Sequence, residues 1–103
     1  MSNWKLICKL EDIPQLGSRI VRRASGGDIA VFRNSADEVF ALHDKCPHKG
    51  GPLSQGIVHG KRVTCPLHGW NIGLEDGQAI APDGGSCSKF EVKVAGGEVF
   101  LAV

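Results

Sequence analysis

The chain has 103 residues and a formal charge of +1, the size of one domain and too little positive charge for a dedicated nucleic-acid binder. At this length about two-thirds of the surface exposed in the unfolded chain is buried, enough for one modest core. Hydrophobic residues at 42% and charged residues at 22% exclude a disordered tail, while 14 glycines and 5 prolines favour turns over long helices. The first ten residues hold a short apolar patch broken by Lys5 and Lys9, with no run of signal-peptide length and none approaching a membrane span. The expected compartment is therefore the cytoplasm, with no membrane and no nucleic acid as partner. In that reducing setting, cysteines bind metals more often than one another.

Trp4, Leu6, Cys8 and Leu10 alternate with Lys5, Lys9 and Glu11, which predicts a half-buried strand with Ile7 out of phase. Asp12-Ile13-Pro14 ends it. Ser18 to Ala24 and Ile29 to Arg33 flank Ser25-Gly26-Gly27-Asp28 and predict a hairpin. Val39 to His43 predicts another short strand. Phe90, Val92 and Val94 alternate with Lys89, Glu91 and Lys93, and Gly96-Gly97 turns the chain into Glu98 to Val103 as a closing hairpin. No window shows a helical period, and residues 44–88 read as loop-rich, with seven glycines from Gly50 to Gly77. The expectation is an all-β fold, a small antiparallel sandwich or barrel, with a loop-rich insert within 44–88 of a single domain spanning 1–103, a common place for a site.

Four cysteines occur, and two of them sit beside histidines: Cys46-Pro47-His48 and Cys65-Pro66-Leu67-His68, with sixteen residues between His48 and Cys65. Such soft and borderline ligands suit zinc or an iron–sulfur cluster. Structural zinc sites usually group like with like. Here each clip offers one thiolate and one imidazole, the set a two-iron cluster takes when two cysteines hold one iron and two histidines the other. A zinc-stapled module without redox activity is the remaining alternative. Cys8 fits the apolar face of the first strand, and Cys87 reads as an idle or buried thiol. His43 and His59 read as ordinary histidines, and Lys45, Lys49, Lys61 and Arg62 as a solvated rim.

Cys46-Pro47-His48-Lys49-Gly50-Gly51-Pro52-Leu53, with Cys65-Pro66-Leu67-His68-Gly69-Trp70, resembles the paired loops of Rieske-type [2Fe–2S] proteins. The likeness runs over nearly the whole chain, including Ile29-Ala30-Val31-Phe32-Arg33. Within that family, the run Cys46 to Gly60 and the segment Ala81-Pro82-Asp83-Gly84-Gly85-Ser86-Cys87 look most like the small subunit of assimilatory NAD(P)H nitrite reductases. The Rieske ferredoxins that feed aromatic-ring dioxygenases are the neighbouring likeness.

The resemblance implies one [2Fe–2S] cluster per chain, held by Cys46 and Cys65 on one iron and by His48 and His68 on the other. It implies an electron carrier without catalysis of its own. The partner would be a large nitrite reductase subunit with flavin, [4Fe–4S] and sirohaem, taking nitrite to ammonia in nitrate assimilation; the alternative partner is an oxygenase. Gly50, Gly51 and Gly69 are expected to let backbone N–H groups approach the sulfides, and Leu53 and Trp70 to shield the inner side. Ile72 and Gly73 stand where many relatives carry phenylalanine and aspartate. Quinol-oxidising relatives carry a disulfide-forming cysteine in each loop, where this chain has Gly51 and Leu67. They also carry a serine at the place of Trp70 and a tyrosine that this chain lacks, so the resemblance implies a low potential.

Overall fold

A computed structural model describes residues 4–22, 27–45, 52–65, 69–80 and 85–102. In chain order the strands are β1 (Trp4–Lys9), β2 (Gly17–Val21), β3 (Ile29–Arg33), β4 (Val39–His43), β5 (Ile57–His59), β6 (Arg62–Thr64), β7 (Asn71–Gly73), β8 (Lys89–Phe90), β9 (Val92–Ala95) and β10 (Glu98–Ala102). They form three antiparallel sheets, ordered β1-β10-β9, β2-β3-β4-β8 and β5-β6-β7. Helical structure among the described residues amounts to two 3-10 turns, at Leu10–Asp12 and Leu53–Gln55. The fold is all-β, as the short alternating runs predict.

The middle sheet sits between two cores, and β3 shows why. A strand's side chains alternate between faces, so a strand covered on both faces must be apolar throughout. In Ile29-Ala30-Val31-Phe32 all four residues are buried. Ile29 and Val31 join Cys8, Ile13, Ala41, Val99 and Leu101 in one core. Ala30 and Phe32 join Leu42, Leu53, Val58, Val63, Cys65, Ile72 and Leu74 in the other. Full burial of a side chain such as Phe32 or Leu42 contributes about 2–3 kcal/mol. The second core is the floor of the insert that carries β5, β6 and β7.

The predicted hairpin across residues 25–28 is seen as β2 against β3, paired from Gly17 opposite Arg33 to Val21 opposite Ile29; residues 23–26 lie outside the described residues. Three expectations need correction. Trp4 and Leu6 do not face inward: they are 39% and 51% exposed. The register slips between Leu6 and Cys8, a bulge that turns Cys8 into the core, and the chain then leaves the strand at Leu10 for a 3-10 turn. Outward Trp4 instead lies under the Lys93 ammonium, 4.6 Å from the ring centroid, a cation–π contact.

The alternating run from Lys89 to Val94 is divided between two sheets, with Ala41 opposite Phe90 in one and Val92 opposite Leu101 in the other. Finally, the insert is not only loop. It carries the whole sheet β5-β6-β7, whose inward residues Val58, Val63 and Ile72 are buried.

Candidate metal centre

Cys65 follows directly on β6 and Trp70 directly precedes β7, so both stand where the paired strands β6 and β7 end. The Cys65 N–H donates to the Trp70 carbonyl at 2.7 Å, extending the β6–β7 ladder by one step, and the Gly69 N–H donates back to the Cys65 carbonyl at 3.0 Å. Gly69 stands at φ 71°, in the left-handed region that favours glycine. A Cβ built on Gly69 meets nothing within 4 Å, so among the described residues the requirement comes from backbone conformation, not crowding.

The Cys65 side chain is buried against Leu53, Val63, Leu74 and Ile72, with Trp70 packed on the same core. The Thr64 hydroxyl donates to Asn71 Oδ1 at 2.7 Å, across the last β6–β7 pair. With the Thr64 proton so placed, His59 Nε2 donates to Thr64 Oγ1 at 2.6 Å. The expected ordinary histidine is thus an exposed strand residue buttressing the base of the second clip.

The first clip leaves β4 at Asp44 and returns at Pro52, where Leu53–Gln55 makes a 3-10 turn. Leu53 is fully buried on the core that holds Cys65. Gly56 closes the turn, and a Cβ there would collide with the Thr64 carbonyl oxygen, so the chain passes tightly over β6. Asp44 and Ser54 bond to one another across this segment.

Of the predicted site residues, Leu53, Cys65, Gly69 and Trp70 are brought to one place. Cys46, His48, Gly50, Gly51 and His68 lie outside the described residues, as do Pro47, Lys49 and Pro66. Among the described residues no three His, Cys, Asp or Glu side chains gather into a metal site. Cys8 is a core residue of the opposite core, as expected. Cys87 packs against the core of Cys65, with its thiol 3.5 Å from the Gly77 carbonyl. Lys45, Lys61 and Arg62 are exposed, with Lys61 Nζ 3.6 Å from Glu75 Oε1. Ile72 is fully buried in the insert's core. Asp44, Ser54, Thr64 and Asn71 carry no signal in the sequence that marks them as part of the site.

Cys65, a cysteine sulfur at the end of β6 backed by apolar side chains, has the soft-donor chemistry and low-dielectric surroundings that suit an iron–sulfur cluster. The Rieske [2Fe–2S] domain family matches residues 3–94. Ferredoxin CarAc of Metapseudomonas resinovorans is 33% identical over 100 residues, 96% of this chain and 92% of that protein.

The solved structure of the E. coli protein NirD superposes with a TM-score of 0.83 at 30% identity, covering 98% of this chain and 96% of that one. A 48% identical match to 4beta-methylsterol monooxygenase of Methylococcus capsulatus runs over 60 residues, 56% of this chain and only 16% of that relative's length. Structural neighbours include nitrite reductase small subunits and dioxygenase ferredoxins alike. The zinc reading is set aside, because a match of this extent with this ligand chemistry has one meaning: the chain belongs to the Rieske [2Fe–2S] family and carries one such cluster.

Proposed function

We propose that this electron-transfer protein is the small subunit of an NAD(P)H-dependent nitrite reductase, acting in the cytoplasm. Its partner is a large subunit with flavin, [4Fe–4S] and sirohaem that reduces nitrite to ammonia. The observation carrying this reading is the end-to-end match to NirD, 98% of one chain on 96% of the other at 30% identity. The whole of residues 1–103 acts as one domain, with Cys46 and Cys65 on one iron and His48 and His68 on the other. When bound, the cluster supplies one-electron transfer. This chain's residues hold it, and Leu53 and Trp70 keep water from its inner side. A second reading, a ferredoxin serving a ring-hydroxylating dioxygenase, is supported by the 33% identity to CarAc over 96% of the chain.

Co-expression with a sirohaem-containing large subunit separates the two. The expected result is co-purification and nitrite reduction driven by NADH or NADPH. Electron delivery to an oxygenase, with none to the sirohaem subunit, overturns the assignment in favour of the ferredoxin. For the ligands, Cys46→Ser and Cys65→Ser are expected to lose both irons, because such loops order around their metal. Two irons with an unchanged visible spectrum in either variant would refute the ligand set.

A further inference from the structure

The two ends of the first clip are tied together by side chains that no ligand assignment requires. Asp44 lies two positions before Cys46, and Ser54 six positions after His48. Asp44 Oδ1 accepts the Ser54 N–H at 2.7 Å, and Asp44 Oδ2 accepts the Ser54 hydroxyl at 2.8 Å. Both residues are also fastened to the middle sheet and its turn. The Ser54 carbonyl accepts the Ser18 hydroxyl from β2 at 2.7 Å, and the Asp44 N–H donates to the Asp28 carbonyl at 2.9 Å. The carboxylate therefore closes the segment 45–53 with two short charge-assisted hydrogen bonds, which are stronger than neutral ones. Holding the loop ends together removes part of the closure entropy that metal binding otherwise has to overcome.

We propose that Asp44 and Ser54 are positioning residues of the metal centre. Their paired hydrogen bonds join the two flanks of the loop 45–53, whose sequence holds Cys46 and His48, and so determine how firmly the cluster is held. The inference rests on the Rieske reading. It differs from a purely electrostatic role, in which the negative charge of Asp44 acts on the cluster through space. Asp44→Asn separates the two. Its carboxamide oxygen accepts the Ser54 N–H and its NH2 donates to Ser54 Oγ, so the clamp survives while the charge is gone.

The experiment uses the cluster-loaded protein and its D44A, D44N, S54A and S54T variants. Cluster release to an iron chelator is followed by visible absorbance, and the dithionite-reduced state by EPR. D44A and S54A are expected to release the cluster about tenfold faster, the effect of losing charge-assisted hydrogen bonds, and to show displaced or broadened g-values. D44N and S54T are expected to stay within about twofold of the parent, the hydrogen-bonded geometry being kept. S54A retains the backbone bond to Asp44, so it reads the clamp even if D44A fails to fold. Parent-like release and parent-like EPR in both D44A and S54A would overturn the proposal. So would D44N behaving as D44A, which assigns the effect to charge. A parent protein without a two-iron spectrum would instead refute the Rieske reading itself.

Discussion

Cys8 follows the break in pairing with β10, and that break turns its thiol into the core beside Val99 and Leu101. Burial pushes the thiol above its ordinary value of 9.0; the positive charge of Arg19 opposes this and the negative charge of Asp12 adds to it. A thiol whose pKa is raised by folding ionises first in the unfolded chain. Its contribution to stability is fully present below the unfolded value and is lost as pH rises through the folded one. Denaturant midpoints are therefore expected to fall above about pH 9, with part of that fall absent in Cys8→Ala. Identical alkaline slopes in parent and variant would place the titration elsewhere. The thiols illustrate what single residues reveal before folding is known. Cys65 stands out as a candidate in the sequence because a histidine follows at ligand spacing, and Leu53 and Trp70 because they adjoin the first and the second clip. Asp44 and Ser54 do not, because a bond between residues ten apart across a loop leaves no periodic or compositional trace.

Between elements, Asn34 does the joining. It is 2% exposed, and its carboxamide oxygen accepts the Ala36 and Glu38 N–H groups at 3.0 and 2.9 Å. Its nitrogen donates to Glu38 Oε1 at 3.0 Å and to the Gly60 carbonyl at 3.1 Å. The β3–β4 turn is thereby locked to the β5–β6 turn, middle sheet to insert. Asn34→Ala leaves those partners without their bonds and is expected to cost about 2–4 kcal/mol in chemical denaturation. A loss under about 0.5 kcal/mol, the range of ordinary surface changes, would show that the two turns hold without it. The elements themselves differed in how plainly they could be read. β3, β4 and the β9–β10 hairpin run four or five residues between turn signals, long enough for a pattern to show. β5, β6 and β7 have three residues each and one buried apolar residue apiece, so nothing repeats within the strand. Among so many glycines they pass for loop.

For the molecule as a whole, the quantity that selects a partner is the midpoint potential. The resemblance implies no bracing disulfide at Gly51 and Leu67 and no hydroxyl at the place of Trp70, and the chain has no tyrosine. Trp70 instead packs on the apolar core of Cys65. Each missing donor leaves the more negative reduced state less stabilised, so a redox titration followed by EPR is expected to give around −150 to −50 mV. That level suits electrons drawn from a nicotinamide through flavin; a midpoint above about +100 mV would count against both proposed partners. The two-faced burial of β3 bears on a different matter, whether the metal-binding insert is a transferable module. Its apolar side chains Leu53, Val63, Cys65 and Ile72 rest on Phe32 and Leu42, which belong to the host sheet. Residues 44–88 moved to another β scaffold would carry the ligands and leave their floor behind. A successful transplant has to bring β3 and β4 along, and those strands need β1 and β10 to cover their other side. What has to move together is all three sheets with the two cores between them.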